Sequence, residues 1–201
     1  MDIEECIKTR RSIRQFKNGS LSEKEIQDIL SLAILAPAPH HTKPWRFVIV
    51  NQEKRSAFAD AMGAKWRLDL LKDNIKEDNI EKLLLKSKEK IIAAPTLIIG
   101  CIDKASLRHY DDASKDNYEM IMSHHSFGAA LQNILLIANQ RNLAAYWISS
   151  PLYAPQESQK VLNYPTEWQA VAAIAIGKNK NNFTQPKRTQ VPINNYMHWV
   201  S

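Results

Sequence analysis

Apolar residues at Ile26, Ile29, Leu30, Ala33 and Ile34 recur three and four positions apart, which predicts an amphipathic helix over Leu21 to Ala36. Ser22 followed by Glu25 supplies a capping box at its start, and Pro37 stops it. The proline-punctuated stretch APAPHHTKPW comes next, and then RFVIV (46–50) reads as a buried strand. Glu53 to Met62 is predicted helical, and a second, more charged helix covers Lys65 to Lys90. PTLIIGCI (95–102) is an apolar run bounded by a proline and reads as a central strand. The strongest helical pattern runs from Lys115 to Arg141. Its segment FGAALQNILLIANQ is apolar nearly all round, so it should be buried on most faces. AAYWI (144–148) is a third strand, Pro155 to Leu162 a short helix, and WQAVAAIAIG (168–177) a fourth strand. Helices interleaved with four short buried strands, without repeats or long linkers, give one mixed α/β or α+β domain over residues 1–201.

Residues 178–201, KNKNNFTQPKRTQVPINNYMHWVS, break this pattern: they are polar, rich in Asn and Pro, and have no period. They finish on Tyr196, Met197, Trp199 and Val200, which are costly to leave in water. A C-terminal arm packed across a partner subunit would bury them, and so would folding back on their own domain. The nearly all-apolar long helix also wants another subunit, which favours the arm and a homodimer.

At 201 residues, 44% of them hydrophobic and 24% charged, the chain has the material for one globular core. It opens MDIEECIKTR without an apolar leader, and no run approaches membrane-spanning length. Cys6 and Cys101 are far apart in sequence. The expectation is a cytoplasmic protein with both thiols free and no membrane partner. A net charge of +6 raises nucleic acid as a partner. The lysines argue against it, because they sit beside acids, as in EKEI and KSKEKI, and form no basic stripe.

The candidate chemistry starts from an absence. Five glycines, Gly19, Gly63, Gly100, Gly128 and Gly177, build neither a dinucleotide-binding fingerprint nor a phosphate loop. A phosphorylated cofactor would have to be held by side chains. RRSIR (10–14) supplies three guanidinium groups and a hydroxyl, which can grip a phosphate or stand solvated at a helix end. The pairs His40–His41 and His124–His125 cannot chelate as adjacent residues, since neighbours on a helix point about 100° apart and on a strand face opposite ways. Together with the lack of paired cysteines this argues against a metal site. No glycine-flanked serine elbow and no activated cysteine suggest a nucleophilic hydrolase.

The combination and order of RRSIRQF, a helix, a proline-rich loop ending in KPWRF, the buried helix FGAALQNILLIANQRNLAAYWISS, and AIAIGK with basic residues ten positions on resembles the nitroreductase family of FMN-dependent oxidoreductases. The resemblance spans the whole chain. The loop APAPHHTKPWRF is closer still to the flavin domain of some coenzyme F-420 glutamyl ligases. The resemblance implies an α+β nitroreductase-like fold, with a mixed central sheet flanked by helices, in a domain-swapped homodimer with shared flavin sites. It implies FMN as cofactor, NAD(P)H as co-substrate, and nitro-, quinone- or enone-type acceptors reduced in a ping-pong cycle. A deazaflavin precursor as acceptor, or a non-catalytic flavin-binding module, is the alternative.

By the same resemblance, Arg10 and Ser12 hold the FMN phosphate and ribityl region, and Arg14 reaches the pyrimidine edge of the ring. Arg11 lies beside the ring through its backbone. Pro37, Ala38, Pro39 and His41 line the ring from the other subunit. Ile148, Ser149 and Ser150 lie over it, with a serine N–H facing N5. Lys187 and Arg188 complete the phosphate clamp, although this chain has them adjacent rather than spaced. His41 can equally serve as a loop residue capping backbone groups. No catalytic acid or base is implied, because the chemistry would sit on the flavin.

Overall fold

A computed structural model of the protein describes residues 2–180, 189 and 191–200. Asp2 accepts a hydrogen bond from the Glu5 N–H and so caps a short first helix, α1 (Ile3–Thr9). Helix α2 (Glu23–Ala33) begins with the expected capping box, in which Ser22 and Glu25 satisfy each other's backbone N–H groups. Strand β1 (Trp45–Val50) leads into α3 (Gln52–Lys72) and α4 (Glu77–Ile92), then β2 (Thr96–Asp103). The long α5 (Ala113–Gln140) precedes β3 (Leu143–Ile148), the short α6 (Pro155–Leu162) and β4 (Trp168–Lys178).

The four strands form one sheet in the order β1-β2-β4-β3. Alternation along β2 sends Ile98 and Ile102 to one face and Leu97, Ile99 and Cys101 to the other. The first face packs on α2 and α5 through residues such as Ile29, Phe127, Leu131 and Ile134. The second face packs on α3, with Phe58 and Met62, and beside α6. The sheet is thus a middle layer covered by helices on both sides, which is why β2 is buried along its whole length. Gly100 sits where this packing is tightest. A Cβ there would meet the Phe127 ring at 2.2 Å, so the position must stay bare for α5 to lie on the sheet. A register shift between Gly100 and Cys101 turns both Val171 and Ala172 of β4 towards the α5 side.

Three expectations need correction. The sheet is not mixed: every pairing among the described residues is antiparallel. The helical hairpin α3–α4 returns the chain to the edge it left, so β2 runs back along β1. The single crossover α5 does make β3 parallel to β2, but β4 lies between them. The break expected between Met62 and Lys65 is also absent, because α3 runs on to Lys72. Gly63 is tolerated within it, since even a Cβ there would stand 3.8 Å from Leu84 of α4. The chain turns instead at Asp73–Lys76, where Asn74 takes a left-handed φ of 57° that asparagine adopts readily. Finally, α1 was not expected, because seven residues carry too little periodicity to announce a helix.

In the tail, residues 191–200 do not fold back to cover their apolar side chains. Tyr196 and Trp199 are 72% and 81% exposed within the single chain.

Candidate functional site

The cationic segment leaves α1 at Arg10, whose φ of −51° and ψ of 129° turn the chain from helical to extended. It then runs beside the sheet. The Ile13 N–H donates to the Ala145 carbonyl at 3.0 Å, the Lys17 N–H to the Lys178 carbonyl at 2.9 Å, and Phe16 bridges Asn179. Strand-like alternation follows: Ile13 is buried, while Ser12 and Arg14 point outward. The Arg11 guanidinium curls back to donate to the carbonyls of Lys8 and Arg10, both at 2.9 Å. The Arg14 guanidinium lies 5.1 Å from the centre of the Tyr146 ring, and Phe16 stacks on the same ring at 6.1 Å. Burial pushes the Tyr146 phenol up from its ordinary range, with the Arg14 charge pulling the other way.

Arg14 forms one wall of a cavity of about 640 Å³ between the α3–α4 hairpin and the end of β3. Met62 and Trp66 of α3, Ile91 of α4, and Tyr146, Trp147 and Ile148 of β3 supply apolar and aromatic surface, and Ser150 and Tyr153 close the far side. Helical spacing accounts for the α3 wall: residues 62, 66, 69 and 73 share a face. Lys86 and Lys90 line it from α4, whereas Lys65 is paired with Asp69 at 3.1 Å. The Tyr146 hydroxyl donates to the Lys90 carbonyl at 3.3 Å and ties α4 to β3. The cavity is open and largely apolar, with Arg14, Lys86 and Lys90 as cationic and Asp69 and Asp73 as acidic lining groups, and its shape and lining suit a flat ring.

The structure therefore brings Arg14, Ile148 and Ser150 together, and places Ser149 just outside the cavity lining at the start of the turn Ser150–Tyr153. Arg10, Arg11 and Ser12 precede Arg14 on the same extended segment but do not line the cavity. Pro37, Ala38, Pro39 and His41 lie elsewhere, in a turn that packs against α5 of their own chain. This turn is strained: His40, His41 and Lys43 have φ of 53°, 56° and 47°. Lys187 and Arg188 fall outside the described residues. Sequence reasoning missed Trp66, Lys86, Lys90 and Tyr153. Trp66 carried the clearest signal, an aromatic residue on a helix otherwise rich in charge.

Neither thiol is placed for chemistry. Cys6 is buried and its Sγ donates to the Leu136 carbonyl at 3.1 Å, while burial pushes the Cys101 thiol up to about 12. Among the described residues, no helix is long and apolar enough to cross a membrane.

Comparison with known proteins decides the family. The model of the nitroreductase family matches residues 7–178, which takes in the cationic segment, the proline-rich loop and all four strands. The chain belongs to the nitroreductase family. The nitroreductase relatives include 5,6-dimethylbenzimidazole synthase of Rhodospirillum rubrum, 27% identical over 175 residues, 84% of this chain and 77% of that one. A BluB-like flavoprotein from Clostridium difficile 630 superposes with a TM-score of 0.79 at 22% identity, over the whole of both chains. The NADPH:FMN oxidoreductase of Vibrio harveyi, complexed with NAD+, superposes with a TM-score of 0.69 at 18% identity, over 98% of this chain and 76% of that one. The α+β nitroreductase-like fold is thus the observed one.

Proposed function

We propose that this nitroreductase-family chain is an FMN-dependent oxidoreductase that uses NAD(P)H to reduce nitro-, quinone- or enone-type acceptors. The observation that carries the reading is the shared cavity of Arg14, Ile148 and Ser150, which the family resemblance assigns to the ring of the flavin. The fit is supported by size and lining. About 640 Å³ lies within the range of roughly 300–1,000 Å³ usual for cofactor pockets, and the walls are aromatic and apolar around a guanidinium. FMN, when bound, supplies the hydride chemistry itself.

The chain's own residues orient and stabilise. Arg14 puts a permanent positive charge at the ring's pyrimidine edge, where negative charge gathers on reduction. Arg10 and Ser12 hold the phosphate and ribityl end, with Lys187 and Arg188 of the tail adding to the clamp. Arg11 supports the ring through its backbone. A second protomer contributes Pro37, Ala38, Pro39 and His41, so the working form is a homodimer with shared sites. Nicotinamide donor and acceptor use the same face in turn, giving ping-pong kinetics. The histidine-bearing loop Pro37–Trp45 favours one second reading, a deazaflavin precursor as the acceptor.

The test is oxidation of NAD(P)H by purified, FMN-loaded protein. The expected result is faster oxidation on adding a nitroaromatic or quinone, with parallel double-reciprocal lines. Flavin that NAD(P)H reduces but no acceptor reoxidises would instead indicate a binding module.

A further inference from the structure

Glu119 of α5 is a buried acid that the proposed chemistry does not use. Its side chain is 3% exposed. Its Oε1 receives the Tyr110 hydroxyl at 3.3 Å and lies 3.3 Å from His40 Nε2, both long contacts. Its Oε2 is buried with no hydrogen-bond partner among the described residues. A carboxyl group taken out of water needs close partners for both oxygens, and two long contacts to one oxygen do not compensate for that loss. As a stabiliser of the fold, Glu119 is poorly explained.

Its position suggests a different role. His40 is the middle residue of the turn Pro39–His41, and His40, His41 and Lys43 are all left-handed. Three non-glycine residues in that region within four positions form a conformation that the backbone does not hold unaided. Short-range bonds close the turn on itself: the Thr42 N–H and hydroxyl both donate to the Pro39 carbonyl at 3.1 Å. They do not fix the turn relative to the body of the protein. Packing of Ala38 on the core and the bond from the Asp103 N–H to the Pro44 carbonyl at 2.8 Å anchor its two flanks, and the His40 imidazole, 3.3 Å from Glu119, is the side chain that ties its middle to α5.

We propose that Glu119 is a positioning residue: through His40 it locks the turn 37–43 in its strained form, so that Pro37–His41 present a preorganised surface to the flavin. The consequence for the flavin rests on the function proposed above; the lock itself does not.

The experiment has two arms. In flavin-free protein, hydrogen exchange of the amides of residues 41–43 is compared between wild type and Glu119→Leu. The lock predicts faster exchange in the variant there, with exchange along α5 unchanged. In the second arm FMN affinity and melting temperature are measured for Glu119→Leu, Glu119→Gln, His40→Gly and the Leu/Gly double variant. Glu119→Leu should raise the FMN Kd about tenfold, the order set by one charge-assisted contact. Glu119→Gln, which keeps an acceptor oxygen, should recover most of the affinity. Glycine at 40 keeps the left-handed freedom but removes the tie, so adding Glu119→Leu to it should cost nothing further. Removal of an ill-satisfied buried polar group should leave the melting temperature unchanged or higher, the opposite of a purely structural role. Unchanged exchange at 41–43, or losses that add in the double variant, overturn the proposal. If Glu119→Leu fails to fold, Glu119→Gln and His40→Gly carry the same comparison. Wild-type protein that binds no FMN would refute the proposed function, while the exchange arm would still decide the lock.

Discussion

Arg10 and Arg14 are close in sequence yet face different surroundings. Arg14 stands over Tyr146 inside the cavity, whereas Arg10 leaves the end of α1 away from that wall. The function proposed above gives them separate duties, phosphate for Arg10 and ring for Arg14. Arg10→Ala should weaken FMN binding by about 2 kcal/mol, the size of a charge-assisted hydrogen bond, measured by quenching of flavin fluorescence. Unchanged affinity would remove Arg10 from the phosphate site. Cys101 gives a second residue-scale prediction. Burial raises its thiol from the ordinary 9.0 to about 12, and Tyr164 is raised as well. Both groups ionise more easily in the unfolded chain than in the folded one. Their contribution is therefore complete below pH 9 and is lost as pH climbs towards 12. The melting temperature should fall over that interval, and Cys101→Ala should make the fall shallower. A melting temperature that stays flat across the interval would contradict this.

At the scale of elements, the packing of α5 on the sheet depends on Gly100. Gly100→Ala should destabilise the protein by about 3 kcal/mol, because its Cβ would collide with Phe127. Adding Phe127→Leu should recover part of the loss, as read by denaturant unfolding. Ser22→Ala should cost about 1 kcal/mol by removing the capping box of α2. That cap, the four strands and α5 were legible in the sequence because each rests on a local signal: a capping pair, an unbroken apolar run, a helical period. The α3–α4 hairpin was not read correctly. The expected break fell between Met62 and Lys65, while the true turn at Asp73–Lys76 has no glycine or proline to mark it. Strand order and direction were also hidden, since they depend on how helices return the chain rather than on any one segment.

At the scale of the molecule, the site is assembled from parts far apart in sequence, Arg14, Trp66, Lys90 and Ile148 among them. The pieces RRSIR and WISS were visible through the family resemblance. The α3–α4 wall was not, because its residues share a face only once the hairpin is formed. The tail belongs to this scale too. Its apolar end is exposed in the single chain, with Val200 at 92%, and we propose that it is an arm packed on a second protomer. Removing residues from Pro186 onward should shift the protein from dimer towards monomer in sedimentation. A truncated protein that stays fully dimeric would count against the arm.

The proposed function stands on FMN bound in the cavity beside Arg14. The most direct measurement is the visible absorbance of freshly purified protein, with flavin content determined after release, for the wild type and Arg14→Ala. The expected result is an oxidised-flavin spectrum, about one FMN per chain, bleaching on addition of NAD(P)H, and a marked loss of flavin in the variant. A colourless wild-type protein that also fails to take up added FMN would contradict it.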